Sequence, residues 1–268
     1  MKQPRQLIPL IFVILAALCG SGLRAWGLHA GTDAGGVPVS HLSHWVYVGV
    51  SALCVAVFLL LAVRSPGRSG RYRVLQRGSG GFALGLIAGG LLLIGSLAEF
   101  VESLLTGPGI SAPIICLLGL LGSICCMIAA NFRRKGENPW PATEVLPILY
   151  LIVKLIFNFK DWSIDPIILD YCVILFALIF ALLAFHRTAG FVFDQGKPRA
   201  SLFYALCAVY FSAAAMMDGM ADLSLATVIT YCGFMLWQIP VILCLSVPRA
   251  PDPVPEKQDK QSKKEKNA

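Results

Sequence analysis

Eight runs of almost uncharged residues, each 15 to 25 long, occupy most of this chain: residues 7–23, 45–63, 81–105, 110–130, 145–159, 166–185, 201–217 and 223–247. An α-helix rises about 1.5 Å per residue, so about 20 apolar residues cross the roughly 30 Å hydrocarbon core of a bilayer. The sequence therefore predicts an all-α integral membrane protein, a polytopic bundle of about eight transmembrane helices over residues 1–247. Composition agrees: 57% of residues are hydrophobic and only 14% charged, against roughly 25% charged in soluble domains. Little chain is left over, which excludes a soluble catalytic domain of any size.

The fifth run, 145–159, is short and carries Lys154, so its crossing needs a separate argument. Charge supplies it. With eight spans and a cytoplasmic N-terminus, the inside collects Lys2, Arg5, the five arginines of the 64–80 loop, Arg133, Arg134, Lys135, Arg187, Lys197, Arg199 and six basic residues after Val247. Arg24 and Lys160 fall outside. If the fifth run did not cross, Arg187, Lys197, Arg199 and the lysine-rich tail would lie outside too, against the positive-inside bias. The expected location is the cell membrane with both termini cytoplasmic. This placement also accounts for the net charge of +7 without nucleic acid as a partner.

The start of the chain has a second reading, because MKQPRQ followed by an apolar run resembles a signal peptide. Ala16-Ala17-Leu18-Cys19 even suggests a lipoprotein signal, but Leu18 stands where Gly or Ala is expected. Three regions outside the spans have some size. The 24–44 loop is rich in Gly and His, the arginine-rich 64–80 loop is placed beside anionic lipid headgroups, and the tail, 248–268, is too polar to bury a core and is expected to be disordered. None of the nine cysteines lies in a polar loop or in a CxxC pair, so neither a disulfide framework nor a metal cluster is expected.

Similar text recurs at about 53 to 60 residues: Ala112-Pro113-Ile114-Ile115, Asp165-Pro166-Ile167-Ile168, and the Tyr-Cys pairs at 171/172 and 231/232. Taken as repeats, these imply parallel copies of a two-helix hairpin. Gly81, Gly85 and Gly89 give span 3 a small-residue face, and Ala213 to Ala215 do the same for span 7. Such faces suit helix packing within the bundle or, as the alternative, homodimerisation.

Candidate chemistry rests on polar residues within the spans. A charge at the bilayer centre costs about 2.5 to 3.5 kcal/mol on insertion scales, so one that is kept there faces the bundle interior and has a partner. Glu99 and Glu102 lie in span 3, Lys154 and Asn158 in span 5, Asp170 in span 6 and Asp218 at the end of span 7, all in the outer half. With outer ends near Gly107, Lys160 and Asp165, Glu99 sits about 12 Å inward, Lys154 about 9 Å and Asp170 about 8 Å. Lys154 can therefore pair with Glu99, Asp170 or both. Tyr150, Lys154, Asn158 and Asp161 form one helical stripe, and Thr227, Tyr231, Phe234 and Gln238 another. Four acids face one lysine in this reading, which leaves carboxylates for a proton or cation from solution.

Three histidines and an acid, His29, His41, His44 and Asp33, share the first outer loop and are the weak candidates for a metal site. No cofactor is expected. No zincin, nucleophile-elbow, Walker A or dinucleotide motif is present, so the chain is not expected to be an enzyme. The cluster of Glu99, Glu102, Lys154, Asn158, Asp170, Asp218, Tyr231 and Gln238 reads either as a helix staple or as an outward-facing pocket for a small polar or cationic solute. A sensor or docking subunit acting through the basic loop and tail is the alternative function, and an intramembrane enzyme of another type the third.

Overall fold

The computed structural model describes residues 7–30, 41–65, 70–76, 78–106, 111–162 and 172–246. Within them the chain forms eight helices: α1 (Ile8–Ala30), α2 (His41–Arg64), α3 (Ser79–Thr106), α4 (Ser111–Lys135), α5 (Pro141–Trp162), α6 (Cys172–Ala189), α7 (Pro198–Ala221) and α8 (Leu225–Ser246). All eight are long and apolar enough to cross a membrane, and the described residues contain no strand. The disordered tail expected over 248–268 lies outside the described residues.

Several helices outrun their apolar runs. α1 continues seven residues past 23, through Arg24 and Trp26, and α2 begins at His41, so much of the expected 24–44 loop is helical. A backbone hydrogen-bond ladder does not require apolar side chains, and a charge that finds a partner does not stop it. α5 has 22 residues and extends about 33 Å, enough to cross without help from its neighbours. Gly136, at φ 74°, ends α4 with the Glu137 N–H bonded back to the Phe132 carbonyl, the left-handed turn that glycine adopts without penalty.

Helices α3 to α8 form a ring in chain order. Each packs on the next, and α8 closes the ring against α3. The ring is thus three successive hairpins, α3/α4, α5/α6 and α7/α8. The α1/α2 hairpin lies outside it and packs on α7. Being flanked on both sides makes α7 the most enclosed helix, with 72% of its apolar window buried. Its small residues permit this: Ala205, Ala208, Ala214 and Ala215 are fully buried, and the Ser21 hydroxyl of α1 donates to the Ala213 carbonyl. The glycine face of α3 turns to α4, where Gly85 meets Ala130 and Gly89 meets Met127, so it serves packing within the chain. Leu and Ile side chains of α1 to α5 are exposed on the outer surface, as suits contact with lipid. Trp26, Trp45 and Trp140 are exposed near helix ends, while Trp237 is buried in the ring.

Candidate functional site

The two ends of the bundle differ in charge. One end carries Arg64, Arg71, Arg73, Arg133, Arg134, Lys135, Arg187, Lys197 and Arg199 against Glu137, Glu144 and Asp194; the other carries Glu99, Glu102, Asp161, Asp218 and Asp222 against Arg24, Lys154 and Lys160. The first is here the basic end and the second the acidic end.

Toward the acidic end, Lys154 of α5 reaches across the ring and donates to Glu99 Oε2 of α3 at 2.7 Å. It makes a longer contact of 3.4 Å to the Tyr150 hydroxyl one turn away. Helical spacing puts Tyr150 and Lys154 on one face of α5. The lysine is enclosed, with 6% of its side chain exposed, whereas Glu99 is 33% exposed. Gly119 of α4 makes the close approach possible: a Cβ there would strike Ser96 and Tyr150. Tyr231 of α8 is buried and near enough to interact with the Lys154 charge. Its hydroxyl and the Thr230 Oγ1 have no hydrogen-bond partner among the described residues. Asn158 is half-buried one turn from Lys154.

The other acids go elsewhere. Glu102 caps α8: its carboxylate accepts from the Ser224 hydroxyl at 2.9 Å and from the Ala226 N–H at 3.2 Å, while the Thr227 N–H donates to Ser224 Oγ. A carboxylate at a helix N-terminus is satisfied by the orphan N–H groups and the dipole. Asp218 pairs with Arg24 Nε of α1 at 2.7 Å. The expectation that surplus carboxylates face one lysine is thereby corrected for two acids: Glu102 is taken up by the start of α8, and Asp218 by Arg24, which is on a helix and not in an outer loop. Asp170 lies outside the described residues.

Gln238 is fully buried on the Tyr231 face of α8, and neither its Oε1 nor its Nε2 has a partner among the described residues. A buried amide without partners carries a desolvation cost of about 1 to 3 kcal/mol.

A second buried ion pair lies at the basic end, where Arg133 Nη2 of α4 donates to Glu144 Oε1 of α5 at 2.9 Å. The Arg133 guanidinium stacks 4.7 Å from the Trp237 ring centroid, and Phe185 of α6 stacks on that ring at 5.8 Å. Beside the pair, Tyr72 is buried in a short 3₁₀ turn, Tyr72–Leu75, where burial pushes its phenol above the ordinary value. Sequence reasoning counted Arg133 only as a topogenic charge and passed over Glu144. The available signal was an acid in the first turn of α5, eleven residues after an arginine and across a tight turn.

The metal candidates do not converge in what is described. His29 is exposed at the end of α1, and His44 is half-buried on α2 against Trp45. Asp33 and the His41 side chain lie outside the described residues, among which no three potential ligands group together. No protein-family model, curated protein or solved structure matches this chain.

Proposed function

We propose that this chain is a multi-pass protein of the cell membrane, with both termini cytoplasmic, that binds and moves a small polar or cationic solute through a pocket at its acidic, outward-facing end. One observation carries the reading. Glu99 lies seven residues from the end of α3, about 10 Å into the helix, and yet a third of its side chain is open. A carboxylate at that depth is costly against hydrocarbon, so its open side is best explained by a hydrated crevice. The Tyr231 hydroxyl, without a partner among the described residues and close to the Lys154 charge, offers a hydrogen bond to a solute beside the ion pair. A cationic solute would compete with the Lys154 ammonium for Glu99, which couples binding to the ion pair that joins α5 to α3.

The test is cysteine accessibility in intact cells, with the nine native cysteines replaced. Glu99→Cys and Tyr231→Cys should react with a membrane-impermeant thiol reagent added outside, and a bound solute should slow the reaction. If both positions stay unreactive from outside while a permeant reagent labels them after denaturation, there is no outward crevice and the reading fails.

A further inference from the structure

A partly open cleft lies at the basic end between α3, α4 and α8. Its cationic side consists of Arg133 and Arg134, and its apolar side includes Phe82, Trp237 and Val241. Both guanidiniums are held by aromatic faces, Arg133 over Trp237 at 4.7 Å and Arg134 over Phe82 at 5.0 Å. A guanidinium held over an aromatic ring can still donate its remaining N–H groups to an oxyanion. Glu144 takes one Nη of Arg133 and the Tyr72 phenol lies against the same guanidinium, so one carboxylate stands against two arginines. Arg133, more than nine-tenths buried, has no acceptor for its Nε–H, and buried Trp237 has none for its Nε1–H, among the described residues. Donors are therefore in excess in a partly closed, net positive cleft.

Depth narrows the occupant. Gly81 is two residues from the start of α3 and Arg133 two from the end of α4, while Val241 and Trp237 are five and nine from the end of α8, so at about 1.5 Å per residue the cleft runs from its arginines near the helix ends to an aromatic floor about 14 Å in. In a spanning bundle that range crosses the boundary between headgroup phosphates and acyl chains. A free anion would use the arginines but not the apolar wall; a phospholipid uses both. We propose that this cleft binds the headgroup phosphate of one anionic phospholipid, with Arg133 and Arg134 on the phosphate and Phe82, Trp237 and Val241 along the first carbons of the lipid. Basic pockets between helices suit such headgroups. The proposal does not depend on the Lys154 pocket.

Native mass spectrometry of the full chain in neutral detergent tests it, titrating phosphatidylglycerol, phosphatidylcholine or inorganic phosphate. One phosphatidylglycerol should bind per chain, at least tenfold tighter than phosphatidylcholine. Arg133→Gln strands Glu144 and risks the fold, so the exposed Arg134 carries the test: Arg134→Gln should weaken phosphatidylglycerol about tenfold and Arg134→Lys less. Lys135→Gln, next door but outside the cleft, should leave it unchanged. Equal binding of the two lipids, an unaffected Arg134→Gln, or equal losses in Arg134→Gln and Lys135→Gln would overturn a built site. Displacement of the lipid by an equimolar amount of inorganic phosphate would overturn the lipid as occupant.

Discussion

At the scale of single residues, the Lys154–Glu99 pair is asymmetric, and the asymmetry has consequences. Removing one partner of a buried pair costs about 3 to 5 kcal/mol because the other charge is left stranded. Here the lysine is enclosed and the glutamate partly open. Glu99→Ala should therefore destabilise by about that amount, Lys154→Ala by less, and the double variant should recover part of the Glu99→Ala loss. Denaturant titration in detergent checks the order; an equal loss in both single variants would mean that the opening at Glu99 is not hydrated. Tyr72 supplies a pH signature outside the spans. Its phenol is held above the ordinary value of 10.0 by burial, so the folded state keeps the proton more tightly than the unfolded chain does. The stability it contributes is whole below pH 10 and declines above it, and Tyr72→Phe should flatten that alkaline decline. Glu99 was legible in the sequence as one of two candidate partners for Lys154, beside Asp170, because helical spacing and depth from the span ends constrain two coordinates of a side chain. Arg24 facing Asp218 was not, since a hydropathy window stops at the first charge whereas α1 goes on. The capping role of Glu102 was hidden too: it needs the start of α8, whose Ser224 signal is local, to sit beside the end of α3, which is not.

At the scale of helices, hydropathy located all eight elements but could not rank them by burial. α5 and α7 have the same mean hydropathy, 1.7, yet 33% of one window and 72% of the other are buried. Lipid tails and a protein interior are alike apolar, so hydrophobicity does not distinguish them; side-chain size does, because only small residues let a helix be surrounded. α7 is the helix rich in buried alanine and serine. Enlarging it should accordingly be costly where enlarging or trimming an outer helix is not. Ala214→Leu, at a fully buried site, should destabilise by about 1 to 3 kcal/mol through overpacking. Leu18→Ala, on the exposed face of α1, should stay within about 0.5 kcal/mol. Thermal unfolding in one detergent compares them directly, and similar losses in both would remove α7 from the centre of the bundle.

At the scale of the whole molecule, the two ends differ in the sign of their charge, and the proposed orientation rests on that difference. An even number of crossings puts both termini on one side, and the arginine-bearing turns share that side with them. The proposed orientation, drawn from the positive-inside bias, puts that side in the cytoplasm. The described turns offer one reporter for each end: Glu137, exposed just after α4, and Leu223, exposed between α7 and α8 with a φ of 56°. In the cysteine-replaced background, Leu223→Cys should be labelled by an impermeant reagent in intact cells. Glu137→Cys should be labelled only after the cells are opened. The pair is diagnostic because an odd number of crossings between residues 137 and 223 is required for the two to differ, and α5, α6 and α7 supply three. Were α5 to lie along the surface instead of crossing, only two crossings would remain and both positions would label from the same side. That result would also take Lys154 out of the bilayer, and with it the reason to regard its ion pair as an interior site.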